Sequence, residues 1–109
     1  MAEKRRYVRQ DLKYKVTYSI SDNPMNEYRT KSFNISLSGI GIQVSEFIMG
    51  DRYMHLKIHS PKMEKPIVAK GRIAWQGFGS DPGEKKVGIQ FTNVPISELT
   101  ELLENASNN

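Results

Sequence analysis

Hydrophobic residues recur at every second position over most of the chain. Leu12, Tyr14, Val16, Tyr18 and Ile20 alternate with Lys13, Lys15, Thr17 and Ser19, and a period of two sends one set to each face of a strand. Turn residues follow at Ser21-Asp22-Asn23-Pro24, and a second strand is predicted from Tyr28 to Ile35. Ile40, Ile42 and Val44 mark a third, separated from the second by the polar run that ends at Gly39. Tyr53–His59 alternates Met54, Leu56 and Ile58 with His55, Lys57 and His59, and Ser60-Pro61 breaks it. In the fifth strand, Ile67 to Trp75, the residues Ile67, Ala69, Gly71, Ile73 and Trp75 share a face, and Trp75 is read as core or rim packing rather than as a platform for a base. Gly77, Gly79 and Asp81-Pro82-Gly83 predict a flexible connection into a last short strand at Val87, Ile89 and Phe91.

The period changes only at the end. Ile96, Leu99, Leu102 and Leu103 recur every three to four residues beyond Pro95, which predicts an amphipathic helix with Ser97 as N-cap and a frayed end over Asn105–Asn109. Six short strands with no crossover helices between them predict an all-β fold, a six-stranded antiparallel β-barrel, with the C-terminal α-helix packed on one opening. A chain of 109 residues with 38% hydrophobic content supports one core, not two. The expected organisation is a basic arm over residues 1–11, a barrel domain with its helix over 12–105 and a tail over 106–109.

Charge narrows the partners. The net charge is +4, and Lys4, Arg5, Arg6 and Arg9 crowd the first nine residues, so that end attracts anions, whether nucleic acid, acidic membrane or phosphorylated small molecule. No stretch has the length or apolarity of a membrane span or a signal peptide, which predicts a cytoplasmic protein. The chain has no cysteine, which removes disulfides, thiolate nucleophiles and thiolate metal sites.

Catalysis finds little support. His55 and His59 share the outward face of one strand with Lys57, too far apart to chelate a metal unaided, so no metal or catalytic site is expected. Glu98, Glu101 and Glu104 recur at helical spacing and read as a solvated helix face. Gly77 and Gly79 fit no phosphate loop, because no helix and no suitably placed lysine follow them.

Two polar constellations remain. Arg5 and Arg9 stand at R-x-x-x-R spacing before the first strand, and Asn34-Ile35-Ser36-Leu37-Ser38-Gly39 has the form N-x-S-x-x-G between the second and third. Together, in this order and on this pattern of strands, they resemble the signature of PilZ domains, and Val87-Gly88-Ile89-Gln90-Phe91 is similar to that family's last strand.

The resemblance implies a six-stranded antiparallel barrel, no cofactor, and cyclic diguanylate (cyclic di-GMP) as ligand. It gives Arg5 and Arg9 the role of closing over the ligand from a mobile arm, and places Asn34, Ser36 and Gly39 on the barrel side, with Arg6 and Ser38 as secondary candidates. The chemistry suits these types. A guanidinium meets a phosphodiester or the O6/N7 edge of guanine with two parallel hydrogen bonds and stacks on the base. Asn and Ser supply donors and acceptors, and Gly permits close backbone approach or positive φ. The family also accepts Asp where this chain has Asn34, and the amide lacks one charge-assisted acceptor.

The expected mechanism is a receptor or adaptor, not an enzyme. Ligand binding orders the arm, and the new surface meets an effector protein or a second copy, the chain itself being monomer or homodimer. Two rivals stand beside it. One is a single-stranded nucleic-acid binder, suggested by tyrosines near basic residues but disfavoured because Tyr14 and Tyr18 share a face with Val16. The other is a PilZ module that binds no nucleotide and serves protein interaction alone.

Overall fold

A computed structural model of the chain describes residues 13–20, 23–49 and 52–107, the side chains of 23, 24, 106 and 107 excepted. Its elements are β1 (Lys15–Ile20), β2 (Asn23–Ile35), β3 (Gly39–Val44), β4 (Tyr53–His59), β5 (Ile67–Phe78), β6 (Lys85–Asn93) and α1 (Ile96–Ser107). The strands close into an antiparallel barrel in the order β1-β2-β3-β6-β5-β4, so the described sheet has no open edge to protect.

Alternation accounts for the interior. Val16, Ile42, Met54, Leu56, Ile58, Ile67, Ala69, Val87 and Ile89 are buried, while Lys15, Gln43, Lys57 and Lys70 between them face water. The chain direction sorts the connections. The β2–β3 turn, the β4–β5 loop and the start of α1 lie at one end of the barrel, and the β3–β4 loop and the β5–β6 hairpin at the other. Leu99, Leu102 and Leu103 of α1 join the core cluster, each burial being worth about 1.5–3 kcal/mol. At the other end Gln76 fixes the β3–β4 loop by accepting from Ile48 N (2.8 Å) and donating to Ile48 O (2.6 Å).

Several boundaries differ from the sequence expectation. β2 begins at Asn23, not Tyr28, because Ile20 already pairs with Asn23, and Pro24 at the start of a strand removes little from the ladder. β5 runs on through Gly77, which pairs with Lys86, to Phe78, so the flexible connection shrinks to a hairpin closed by Gly79 N to Glu84 O (2.8 Å), with Gly83 at φ 79°. Ser97 is not the N-cap. Pro95 O accepts the bond from Leu99 N (3.0 Å), so Ser97 already lies in the first helical turn. The helix continues through Ser107.

Of the two readings for Trp75, core or rim packing, the structure gives the rim: the indole is 48% exposed and packs beside Phe33 and Gly88. The β5–β6 register shifts between Ile73 and Trp75, and the extra residue of such a bulge turns the side chains beyond it to the other face. Tyr14 and Tyr18 stay with the core as expected, Tyr18 buried and stacked on Tyr28 at 5.2 Å. Burial raises the pKa of both phenols, and Tyr28 raises that of Tyr18 further.

Candidate functional site

The N-x-S-x-x-G run makes the turn between β2 and β3. Ser36 N donates to Gly39 O (2.9 Å), Ser38 N donates to Ser36 Oγ (3.1 Å), and the two serine hydroxyls share a bond of 3.0 Å. Phe91 N donates to Ser38 O (2.9 Å), tying the turn to β6 as well. The buried Ser36 thus holds the turn in shape, the role Ser commonly plays in such loops, and Ser38 is exposed on it. Gly39 is required by space, not by conformation. A Cβ there would collide with the carbonyl oxygen of Ile89, and the only positive-φ glycine among the described residues is Gly83.

Asn34 owes its position to a bulge. The β2–β3 register shifts between Ser32 and Asn34, so the buried Ser32 points inward while Phe33 and Asn34 are both half-buried on the outer side. From there one cross-strand row runs around the barrel. Asn34 pairs with Gly41, Gly41 with Gly88, and Gly88 with Trp75. The absent side chains at its centre make room for rings: a Cβ on Gly41 would strike the Phe33 ring, and one on Gly88 the Trp75 indole. The two rings lie 6.2 Å apart at 55°, and Lys86 Nζ stands 4.4 Å over Phe33, close enough for a cation–π attraction. Polar turn, amide, lysine and exposed indole therefore share one outer surface.

The start of the described chain adjoins that surface. Tyr14 N donates to Ser32 Oγ and Ser32 N donates to Tyr14 O, both at 2.9 Å, which fixes the start of the described chain two residues from Asn34 along β2. Arg5, Arg6 and Arg9 lie outside the described residues. The sequence places Asn34, Ser36, Ser38 and Gly39 on one strand–turn–strand segment, as the structure does, but does not place Phe33, Lys86 and Trp75 beside it. The glycine pair Gly41 and Gly88, each flanked by buried isoleucine or valine, was the available signal.

The histidines are half-buried on β4, and His59 Nε2 shares a 3.3 Å bond with Thr17 Oγ1. No group of three or more His, Cys, Asp or Glu capable of holding a metal occurs among the described residues. Among them, too, no helix is long and apolar enough to cross a membrane.

The fold is thus a closed six-stranded antiparallel barrel with a polar β2–β3 turn and the start of the C-terminal helix at one end. The PilZ domain model matches residues 3–106, and the chain belongs to the PilZ domain family. It is similar in fold to the Bacillus subtilis inhibitor of motility, MotI/DgrA, with a TM-score of 0.79 at 22% identity over 97% of this chain and 51% of that one. It is also similar to the PilZ domain of Escherichia coli YcgR solved with c-di-GMP (TM-score 0.62, 14% identity, 84% of this chain and 79% of that). A further match is YcgR of Escherichia coli in complex with c-di-GMP, with a TM-score of 0.64 at 16% identity over 97% of this chain and 48% of that one. The chain thus spans about half the length of MotI/DgrA and of that YcgR chain. No curated protein sequence matches it.

Proposed function

We propose that this domain is a receptor for cyclic di-GMP that passes the level of the messenger to a partner protein and does no chemistry on it. The observation that carries the reading is the tie between Tyr14 and Ser32, which roots the arm beside Asn34. Arg9 is five residues from Tyr14 and Arg5 nine, so the extended chain reaches about 17 and about 30 Å from that anchor. Asn34 is about 7 Å along β2 from Ser32. Both arginines are thus within reach of the turn.

In this reading the arm, residues 1–11, closes over a ligand seated on the barrel domain, residues 12–105. Arg5 and Arg9 grip phosphate or guanine edges, aided by Arg6. Asn34 and Ser38 offer hydrogen bonds from the rigid side, Ser36 and Gly39 hold the turn in register, and the Trp75 indole gives a base a flat face. Fixing each arm residue costs about 1–2 kcal/mol, which charge-assisted bonds of about 1.5–3 kcal/mol each offset. The ordered arm then presents a surface that the free domain lacks. The YcgR structure with c-di-GMP supports the choice of ligand, and a cytoplasmic, non-catalytic role is part of the same proposal.

Calorimetry against cyclic di-GMP and against a single-stranded oligonucleotide, at low and high salt, tests the assignment. We expect saturable binding of the dinucleotide that survives salt. Oligonucleotide binding that collapses with salt, without dinucleotide binding, would favour the nucleic-acid reading instead.

A further inference from the structure

The charge on the described surface is segregated. The outer faces of β2, β1, β4 and β5, neighbours in that order around the barrel, carry Arg29, Lys31, Lys15, Lys57, Lys70 and Arg72, all exposed, against a single carboxylate, Glu27, which bridges Lys57 at 3.1 Å. Lys15 even stands directly opposite Lys31 in the ladder, a like-charge pairing that costs stability in a sheet. Helix α1 is the counterpart. It contains no basic residue, and Glu98, Glu101 and Glu104 are all exposed.

The two surfaces meet along a groove of mixed character. Val68 on β5 pairs with Lys57 and is 61% exposed, and it lines the groove with the apolar Met63, Pro66 and Pro95 and with the charged Lys62, Glu64, Lys65, Glu98 and Glu101. Ile96, the residue after Pro95, is exposed as well. A two-fold interface buries the same patch on both partners, so a patch whose halves are complementary in sign satisfies itself. An apolar centre with charge around it is the usual anatomy of such contacts. Four of the six cations are lysines, point charges that suit the spaced carboxylates of a helix better than the planar, bidentate recognition for which arginine is chosen.

We propose that two copies of this chain associate about a two-fold axis through the Val68 seam, the acidic face of each α1 lying on the cationic β1–β4–β5 face of the other. Asn34 and Trp75 occupy the β2–β3–β6–β5 row, so of the strands that carry this contact only β5 is shared with that row.

Sedimentation equilibrium of the full chain tests this without nucleotide. The wild type should dimerise at low salt and dissociate as salt rises, because screening weakens an interface steered by charge. The variants K57E/K70E and E98K/E101K should each be monomeric, at least tenfold weaker in self-association, with unchanged thermal melts. Mixed in equal amounts they should form a heterodimer, because both facing pairs of patches are then opposite in sign. A wild type that stays monomeric at low salt overturns the proposal, all the more if it binds an oligonucleotide or an anionic vesicle through the lysine face. Variants that dimerise like the wild type, or a mixture that fails to pair although both are folded, overturn it equally.

Discussion

Asn34 and Trp75 terminate the same cross-strand row, separated only by the paired glycines Gly41 and Gly88. Three inter-strand steps, about 14 Å along the curved sheet, divide them. One end therefore offers an amide beside a rigid turn and the other an exposed indole, with Phe33 and Lys86 over the gap. A flat anion carrying two bases could use both ends at once.

The row makes the domain its own reporter. Trp75 is the sole tryptophan and is half exposed, so a guanine stacking on it should quench and shift its emission. Titration with cyclic di-GMP should give a saturable change that Asn34→Ala weakens without altering the starting spectrum. An unchanged emission during calorimetrically proven binding would remove Trp75 from the site.

Asn34 itself should be tunable. Replacement by Asp provides a charge-assisted acceptor for guanine N–H groups, worth about 1 kcal/mol over a neutral one. Asn34→Asp is expected to tighten binding about fivefold, and Asn34→Ala to weaken it by a similar or larger factor. Dissociation constants from calorimetry decide the matter, and weaker binding by the Asp variant would mean that this side chain faces phosphate rather than base.

Gly39 carries a packing demand. Its missing Cβ leaves space for the Ile89 carbonyl, and because that neighbour is backbone, Gly39→Ala forces the β3–β6 pair apart. Overpacking of this kind costs about 1–3 kcal/mol, and urea midpoints should fall accordingly. A variant as stable as the wild type would show that the turn yields easily.

The phenols predict a response to alkali. Burial holds the pKa of Tyr14 and Tyr18 above 10.0, with Tyr28 adding to the effect at Tyr18. The unfolded chain then loses these protons first as pH rises, binds fewer than the native state, and is favoured. Stability is thus fully present below pH 10 and declines as pH climbs through the unfolded and then the folded values. Tyr18→Phe should flatten that decline in denaturant melts across the alkaline range, and an identical slope in both proteins would contradict it.

What the sequence disclosed and what it hid have separate causes. Alternation located the barrel because a two-faced strand must show its period, and β4 matched to the residue, Tyr53–His59. The Asn34–Gly39 turn was equally legible, its Ser and Gly being types that tight loops require. Bulges carry no such mark. The alternation through Ile73 to Trp75 left core and rim both open for the indole, and only the register shift between them turns it outward. The helix start was misjudged for a related reason: Ser97 has the composition of a cap, but Pro95 already supplies the first acceptor. Most of the newly seen surface, Phe33, Lys86 and Trp75, depends on which strands become neighbours, and that pairing joins residues far apart in the chain.

The account rests on cyclic di-GMP bridging the arm and the β2–β3 turn. Amide and indole resonances followed during a titration with the dinucleotide address this at each position. The expected result is large shifts at Ser36, Ser38, Gly39 and the Trp75 indole N–H, all lost in Arg9→Ala while its spectrum stays that of a folded barrel. A folded wild type whose resonances ignore the ligand, or shifts confined to the β3–β4 loop and the β5–β6 hairpin at the far end, would contradict it.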